Sequence, residues 1–303
     1  MDRFEAMSIF LSAVDAGSLS AASRKLDVPL ATVSRRIGEL ESHLKTRLLL
    51  RGGRKLILTD AGRAYLEACR KIVEDLMEAE RTASGEYQVP TGDLVISAPI
   101  VLGRTHLLPI ILDFMKAYPD VRLRLQQSDR VVNLLDDHID LAARIGRLPD
   151  SSLIATRIGV TRMVTCASPA YLERRGIPAR PEELVNHCSI TFDLINSATE
   201  WEYGQGAGKV MVPITSRLTL GTAEAVADAV TSGMGIGRLS YYAAEEAVKS
   251  GRVQVILQEF EPAEIPISLV YPSQRLLPLK LRAFLDFATP RLRARLPQQI
   301  AVR

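Results

Sequence analysis

Residues 18–62 read SLSAASRKLDVPLATVSRRIGELESHLKTRLLLRGGRKLILTDAG, and this stretch decides the fold of the N-terminal region. Ser18 is a favourable N-cap for a helix over residues 19–26. Asp27-Val28-Pro29 then ends that helix, because Asp tolerates the left-handed conformation of a tight turn and Pro29 suits the first turn of the next helix. Upstream, apolar residues at helical spacing predict another helix, which ends at Gly17. The sequence therefore predicts three successive helices.

The third of these helices has two different faces. Apolar residues recur on one face at spacings of four, three and four, namely Val33, Ile37, Leu40 and Leu44. The other face is small, polar and basic, as a helix in the major groove requires for close approach and for an Arg that reaches guanine O6 and N7. The predicted DNA contacts of this region are Ser20, Leu30, Ala31, Thr32, Ser34, Arg35 and Arg36. A plain three-helix subdomain with a solvated arginine face would give the same pattern.

A basic hairpin is predicted directly after the third helix. Leu48-Leu49-Leu50 and Lys55-Leu56-Ile57-Leu58 flank the turn Arg51-Gly52-Gly53-Arg54. A hairpin beside a recognition helix is a wing, and its cations Arg51, Arg54 and Lys55 suit phosphates or the minor groove. Residues 1–58 carry ten Lys/Arg against six Asp/Glu. Such a basic head is typical of nucleic-acid contact, although a chance surface explains the charge alone equally well.

A long amphipathic helix is predicted from Thr59, its N-cap, to a stop at Gly85. Apolar residues follow a heptad spacing along it: Tyr65, Cys69, Ile72, Leu76, Ala79 and Ala83. This seam fits either pairing of two such helices or one helix packed on its own domain. Residues 90–92, Pro-Thr-Gly, are predicted to form a hinge.

From residue 93 onward, strands and helices alternate. Strands are predicted at residues 93–98, 121–127, 141–145, 163–167, 209–213, 217–220, 236–239, 253–257 and 267–271. Helices are predicted at residues 107–118, 131–136, 223–231, 241–249 and 279–290, with loops between residues 168 and 208. The rhythm predicts parallel sheet in two α/β lobes, with ligands at the carboxyl ends of the strands in the crevice between them. Thr222 also precedes a helix whose first N–H groups are expected to bind an anion.

The sequence carries little sign of catalytic chemistry. The four His and three Cys lack metal-ligand spacing, and there is no G-x-S-x-G elbow, so we expect no enzyme, cofactor or metal. The N-terminus lacks the pattern of a signal peptide, no run of about 18 apolar residues predicts a membrane span, and the odd number of scattered Cys predicts the cytoplasm. Two alternatives remain: an enzyme with a two-lobed body, or a small-molecule-binding protein whose basic head contacts another acidic partner.

Residues 10–66 closely resemble the DNA-binding head of LysR-type transcriptional regulators. The matching residues are Ala21, Ala22, Val28, Val33, Ser34, Arg35, Ile37, Leu40, Glu41, Leu48, Leu58, Thr59, Ala61 and Gly62. This sequence departs from the Ser-Gln that many members have before the third helix, because it has Pro29-Leu30. Leu30 either contacts a thymine methyl or packs within the protein.

The resemblance implies an α+β chain in three parts. Residues 1–58 would form a winged helix-turn-helix and residues 59–88 a linker and dimerisation helix. Residues 89–303 would form a two-lobed α/β effector domain like the periplasmic binding proteins (type 2). Its lobe I is expected at about residues 89–160 and 266–303, and its lobe II at about residues 161–265.

The resemblance also implies partners and a ligand site. We expect a homodimer or homotetramer that binds operator half-sites in double-stranded DNA, senses a small organic effector and contacts RNA polymerase. The implied effector contacts are Pro99, Gln127, Ser128, Ile145 and Thr222. Taken singly, each of these five residues is also explained as ordinary loop structure.

Overall fold

The chain forms two compact units, Met1–Val89 and Pro90–Arg303, in a computed structural model. The structure describes residues 2–50, 56–84, 89–130, 132–148, 152–193, 199–273 and 277–299, without the side chains of residues 74, 75, 77–79, 81–84 and 207.

The N-terminal unit is a helix-turn-helix followed by a short hairpin and a long helix. Ser18 caps α2 by accepting a hydrogen bond from Ala21 N at 3.1 Å, and Asp27 ends it with a left-handed φ of 53°. Pro29 is the N-cap of α3 rather than part of its first turn. The elements are α1 (Arg3–Asp15), α2 (Leu19–Leu26), α3 (Leu30–Leu44), the antiparallel strands β1 (Leu49–Leu50) and β2 (Ile57–Leu58), and α4 (Asp60–Ser84).

The predicted apolar stripe of α3 is the core of this unit. Val33 and Ile37 are buried together with Ile9 of α1 and Ala22 of α2. Leu40 belongs to a second buried cluster, whose other members are Ala6, Phe10 and Leu48. Because one face of α3 fills both clusters, its opposite face is left toward solvent. The three predicted helices and the hairpin strands are thereby confirmed.

The first sheet of the C-terminal unit has the strand order β4-β3-β5-β14-β6. The strands β3, β4 and β5 are parallel, as predicted, but β14 runs antiparallel to both β5 and β6, so the sheet is mixed. The predicted hinge residue Gly92 is the first residue of β3, and its N–H donates to Asp120 O at 3.2 Å. The strands are β3 (Gly92–Ala98), β4 (Val121–Gln127), β5 (Leu141–Ile145), β6 (Leu153–Thr161) and β14 (Ile265–Pro272).

The second sheet has the order β11-β8-β12-β7-β13, and a separate hairpin joins β9 to β10. The prediction of loops between residues 168 and 208 is wrong, since α7, β8 and β9 lie there. Trp201 and Tyr203 alternate with exposed or half-buried neighbours in β9, and both are buried. The strands are β7 (Met163–Ala167), β8 (Ser189–Phe192), β9 (Glu200–Tyr203), β10 (Val210–Pro213), β11 (Ser216–Leu220), β12 (Ile236–Ser240) and β13 (Gln254–Ile256).

Helices cover the faces of both sheets. They are α5 (Ile100–Leu102), a π-helical turn (Gly103–Leu107), α6 (Leu108–Ala117), α7 (Pro169–Arg175), α8 (Ala223–Thr231), α9 (Tyr241–Lys249) and α10 (Leu279–Arg295), with 3-10 turns at Pro181–Asn186, Gly206–Gly208 and Gln258–Phe260. In the described residues, no single helix is long and apolar enough to cross a membrane. The pair α1 and α2 passes by length and composition when joined, although the chain bends by 118° between them.

Three helix predictions for the first lobe need correction. The helix predicted from residue 107 begins at Ile100, because the π-helical turn continues α5 into α6. No helix forms at residues 132–136; residues 134–138 make turns instead, in which Asn133 N donates to the Asp137 carboxylate at 3.0 Å. The helix α10 continues past Pro290, since Leu292 beyond the proline is buried in the same core as Phe284.

Candidate nucleic-acid interface and ligand crevice

The outward face of α3 carries the predicted DNA contacts. Leu30 is 46% exposed, and Ala31, Ser34 and Arg35 are also exposed, while Thr32 is half-buried. Ser20 of α2 is exposed as well. Small side chains leave the backbone of α3 open to close approach, as entry into a groove requires.

Arg35 lies at the centre of this face. Its guanidinium contacts the Glu39 carboxylate at 2.6 Å, one helical turn further along. Desolvation raises the pKa of Glu39, but the hydrogen bonds and charges of Arg35 and then Arg36 outweigh it and hold the pKa below its usual value. Exposed ion pairs of this kind are weak. Arg35 can therefore exchange Glu39 for a base edge or a phosphate at little cost.

Arg36 has a different environment from Arg35, although both are predicted DNA contacts. Its guanidinium contacts Glu5 of α1 at 2.7 Å and Glu39 at 3.3 Å, and the side chain is 22% exposed. The contact with Glu5 ties α3 to α1, so Arg36 is placed to orient α3.

The buried carboxylate of Glu41 fixes the chain between α3 and the hairpin. Its Oε1 accepts hydrogen bonds from Leu48 N at 2.8 Å and Leu49 N at 3.0 Å, and its Oε2 contacts Arg47 at 3.1 Å. The sequence pattern includes Glu41 but assigns it no role. The predicted hairpin-tip cations Arg51, Arg54 and Lys55 lie outside the described residues.

The predicted pairing seam of α4 divides into two parts. Tyr65 packs against Phe10 of α1 with the rings tilted and their centroids 5.9 Å apart, and Cys69 is fully buried. Burial raises the pKa of both side chains. Cys69 is therefore enclosed within one chain, which leaves it no surface for the seam, whereas Tyr65 is half-buried and its place in the seam stays a prediction. Ile72 and Leu76 are 49% and 39% exposed.

The seam predictions at Ala79 and Ala83 concern side chains outside the described part of α4.

Three of the predicted effector contacts meet where β4 ends. Pro99 is the N-cap of α5, and the Gln127 side chain donates to Ile100 O at 3.3 Å. Ser128 N donates to Ala98 O at 3.0 Å, and its hydroxyl accepts from Arg130 N at 3.1 Å.

The N-terminus of α8 approaches this loop, and the N–H groups of Ala223 and Ala225 are bonded within the chain. Thr222 Oγ1 accepts from Ala225 N at 3.2 Å, as an N-cap does. Ala223 N donates to the Asp129 carboxylate at 3.3 Å, and the same carboxylate accepts from Ile100 N at 3.0 Å. The expectation that these amides await an anion is therefore wrong for Ala223 and Ala225. Asp129 is not among the predicted effector contacts, although its position shortly after the end of β4 could have indicated it.

Ile145 is half-buried at the end of β5. It packs against the core of the first lobe, because alternate residues of β5 share that core face with Leu141 and Ala143. Arg144 points to the other side of the sheet, where its guanidinium donates to Val132 O at 2.6 Å. Burial lowers the pKa of Arg144. The prediction of Ile145 as an effector contact stays a prediction.

Two family profiles match the chain. One, described as a bacterial regulatory helix-turn-helix protein of the lysR family, covers residues 4–63. The other, described as the LysR substrate binding domain, covers residues 88–293. The protein is thus a transcriptional regulator that joins a DNA-binding helix-turn-helix to an effector-binding domain, and it is not an enzyme. It belongs to the LysR-type family, whose members bind DNA and small-molecule effectors and form oligomers.

Relatives match along nearly the whole chain. An HTH-type transcriptional regulator of Xanthomonas campestris pv. campestris is 34% identical over 94% of this chain and 84% of its own length. The structure of CrgA, a LysR-type regulator from Neisseria meningitidis, superimposes with a TM-score of 0.62 at 31% identity, over 95% of this chain and 98% of CrgA. The isolated CrgA regulatory domain, 31% identical, aligns over its full length with 67% of this chain at a TM-score of 0.60.

Proposed function

We propose that α3 is the recognition helix, and that Ser20, Leu30, Ala31, Thr32, Ser34 and Arg35 contact the operator. The observation that carries this proposal is the exposure of small side chains and Arg35 opposite the buried stripe of α3. The hairpin-tip cations Arg51, Arg54 and Lys55 would contact phosphates beside it. Arg36 supports the same contact indirectly, by orienting α3 against α1.

A base-reading role for Arg35 is tested by replacing it with Ala. Operator affinity should fall by about 1–3 kcal/mol, with relaxed preference at one base pair, because a bidentate contact to guanine is lost. Footprinting and binding titrations on the parent operator and on single-base variants measure both effects. Arg252→Ala removes an equally exposed arginine from the regulatory unit and should bind as the parent does. Unchanged affinity and base preference for Arg35→Ala would refute the assignment.

The regulatory unit is proposed to take its effector where Pro99, Gln127 and Ser128 face Thr222. The hydrogen bonds of Asp129 to Ile100 and Ala223 support this location, because they bring the two lobes together at these strand and helix ends. The exposed apolar side chains of Ile72 and Leu76 support a dimer that pairs through α4, continued by Ala79 and Ala83. The corresponding division is residues 1–58 for DNA, 59–88 for pairing and 89–303 for the effector.

Contact with RNA polymerase and a cytoplasmic location complete the proposal. Both rest on membership of a family of DNA-binding transcriptional regulators, which act where the chromosome and the polymerase are.

A further inference from the structure

The carboxylate of Asp129 lies between the two lobes and bonds to both. Asp129 follows β4 in the first lobe, and its Oδ1 accepts from Ile100 N at 3.0 Å within that lobe. Its Oδ2 accepts from Ala223 N, the first residue of α8 in the second lobe, at 3.3 Å. Hydrogen bonds to an ionised acceptor are about twice as strong as neutral ones. One side chain therefore joins Ile100 to Ala223, which lies 94 residues beyond Asp129 in the chain.

Two further contacts cross between the lobes beside Asp129. Arg104, in the π-helical turn, contacts Glu224 of α8 at 2.8 Å. Tyr242 of α9 packs against the core of the first lobe, and its ring meets that of His106 edge-on at 6.5 Å. Burial, and secondly the negative charge of Asp129, raise the pKa of Tyr242. Both α8 and α9 of the second lobe thus contact the first lobe at α5, whose first residue donates to Asp129.

We infer that Asp129 is a built-in anion of the effector crevice, which latches the two lobes and sets the charge of the effector that the crevice accepts. This inference rests on the proposed crevice site. A carboxylate or phosphate effector would meet a like charge at Asp129 and would find the amides of Ile100 and Ala223 already bonded. Repulsion of this kind selects against one class of ligand as effectively as attraction selects for another.

The effector class that fits is a cation or a neutral hydrogen-bond donor. An amine or amide group can donate to Asp129 and leave the interlobe bonds in place, whereas an acid must displace the carboxylate. Arg104, in the same lobe as Asp129, is already paired with Glu224. Asp129 is therefore expected to determine specificity by charge.

The test removes the carboxylate and offers a small one in its place. In the full-length chain, Asp129→Ala should speed amide exchange about tenfold in the segments around Ile100 and Ala223, because each loses a charge-assisted bond. Acetate or formate should then slow exchange in these segments of the variant in a saturable way, and leave the parent unchanged. Asp113→Ala removes an exposed carboxylate of the same lobe, on α6, and should show neither effect.

Each outcome decides the inference. Unchanged exchange around Ile100 and Ala223 overturns the latch, and faster exchange without recovery in acetate overturns the built-in anion. If Asp129→Ala speeds exchange throughout the regulatory unit, including α10, then that variant has lost stability as a whole, and Asp129→Asn takes its place in the test. Asn keeps one acceptor of similar shape, so exchange should increase at one of the two amides and remain as in the parent in α10; an unchanged Asn variant overturns the latch. These measurements use neither DNA nor effector. If they overturn the latch, the proposed effector site in the crevice can still be tested separately, by measuring whether Ser128→Val lowers the affinity for the effector.

Discussion

At the scale of single residues, buried polar side chains fix the position of the DNA-binding surface. Glu41 illustrates this, because it is 7% exposed yet bonds to two backbone N–H groups and to Arg47. A buried carboxylate is tolerated only where hydrogen bonds replace its hydration. The sequence pattern shows the residue, while its role in positioning β1 depends on the turn that follows α3.

Replacing Glu41 by Ala should lower the free energy of unfolding of the DNA-binding unit by about 2–3 kcal/mol, because buried N–H groups lose their acceptor. Urea unfolding followed by circular dichroism measures the change, and amide exchange at residues 48–49 locates it. Glu39→Ala is the matched control, since its contacts with Arg35 and Arg36 are at the surface. Equal effects of the two variants would contradict a special role for Glu41.

His106 should make the regulatory unit less stable in acid. Burial lowers its pKa, the charge of Arg295 adds to this and Glu245 opposes it. In the unfolded chain the pKa is about 6.5. As the pH falls below that value, the unfolded state takes up the proton first, so the free energy of unfolding decreases until the lowered pKa of the folded state is reached.

Urea unfolding at a series of pH values should therefore show a shallower decline below about pH 6.5 for His106→Gln than for the parent. His43→Gln, at an exposed position of the DNA-binding unit, controls for the substitution itself. A His106→Gln decline as steep as that of the parent would contradict the assignment.

At the scale of elements, α4 serves two purposes along its length. Its first turns pack on α1 through Tyr65 and Cys69, and Arg70 contacts Asp15 at 2.6 Å. Further along, Ile72 and Leu76 leave apolar surface exposed. The same heptad pattern thus includes residues that are buried within the chain and, further along, apolar residues that are exposed. Periodicity alone does not distinguish these two parts of α4.

Ile72→Glu should weaken the dimer by about tenfold or more, because it places like charges in an apolar seam. Sedimentation velocity over a range of concentrations measures the dissociation. Ile72→Leu keeps the apolar surface and should dimerise like the parent. If Ile72→Glu sediments as the parent does, α4 is an amphipathic helix without a pairing role.

At the scale of the whole molecule, the chain carries two units with separate cores. The clusters around Val33 and Leu40 belong to the first unit, and those of the two sheets belong to the second. The CrgA regulatory domain, which aligns with 67% of this chain, was solved as an isolated domain.

A fragment of residues 90–303 should therefore fold alone and unfold cooperatively, with the same pattern of amide protection as in the full chain. Its core is complete without the DNA-binding unit. Thermal unfolding and amide exchange of the fragment provide the measurement. A fragment that lacks a cooperative transition would show that the DNA-binding unit completes its core.

The sequence by itself determined the DNA-binding unit. The stripe of α3, the cap at Ser18 and the turn at Asp27 are local signals, each formed by residues within a few positions of one another, so periodicity and capping rules suffice. The parallel strands β3, β4 and β5 and the helices α8 and α9 were predictable for the same reason.

Only the tertiary structure brings together the residues of the proposed effector crevice. The strand β6 pairs with β14 far along the chain, and β8 pairs with β11 and β12 rather than with its neighbours in sequence. The core against which Ile145 packs is completed by Leu281 and Phe284 of α10, far along the chain. The role of Asp129 depends on the fold, which brings Ala223 N within hydrogen-bond distance of its carboxylate. Contacts between distant residues leave no periodic mark in a sequence, because each partner can satisfy local rules without the other.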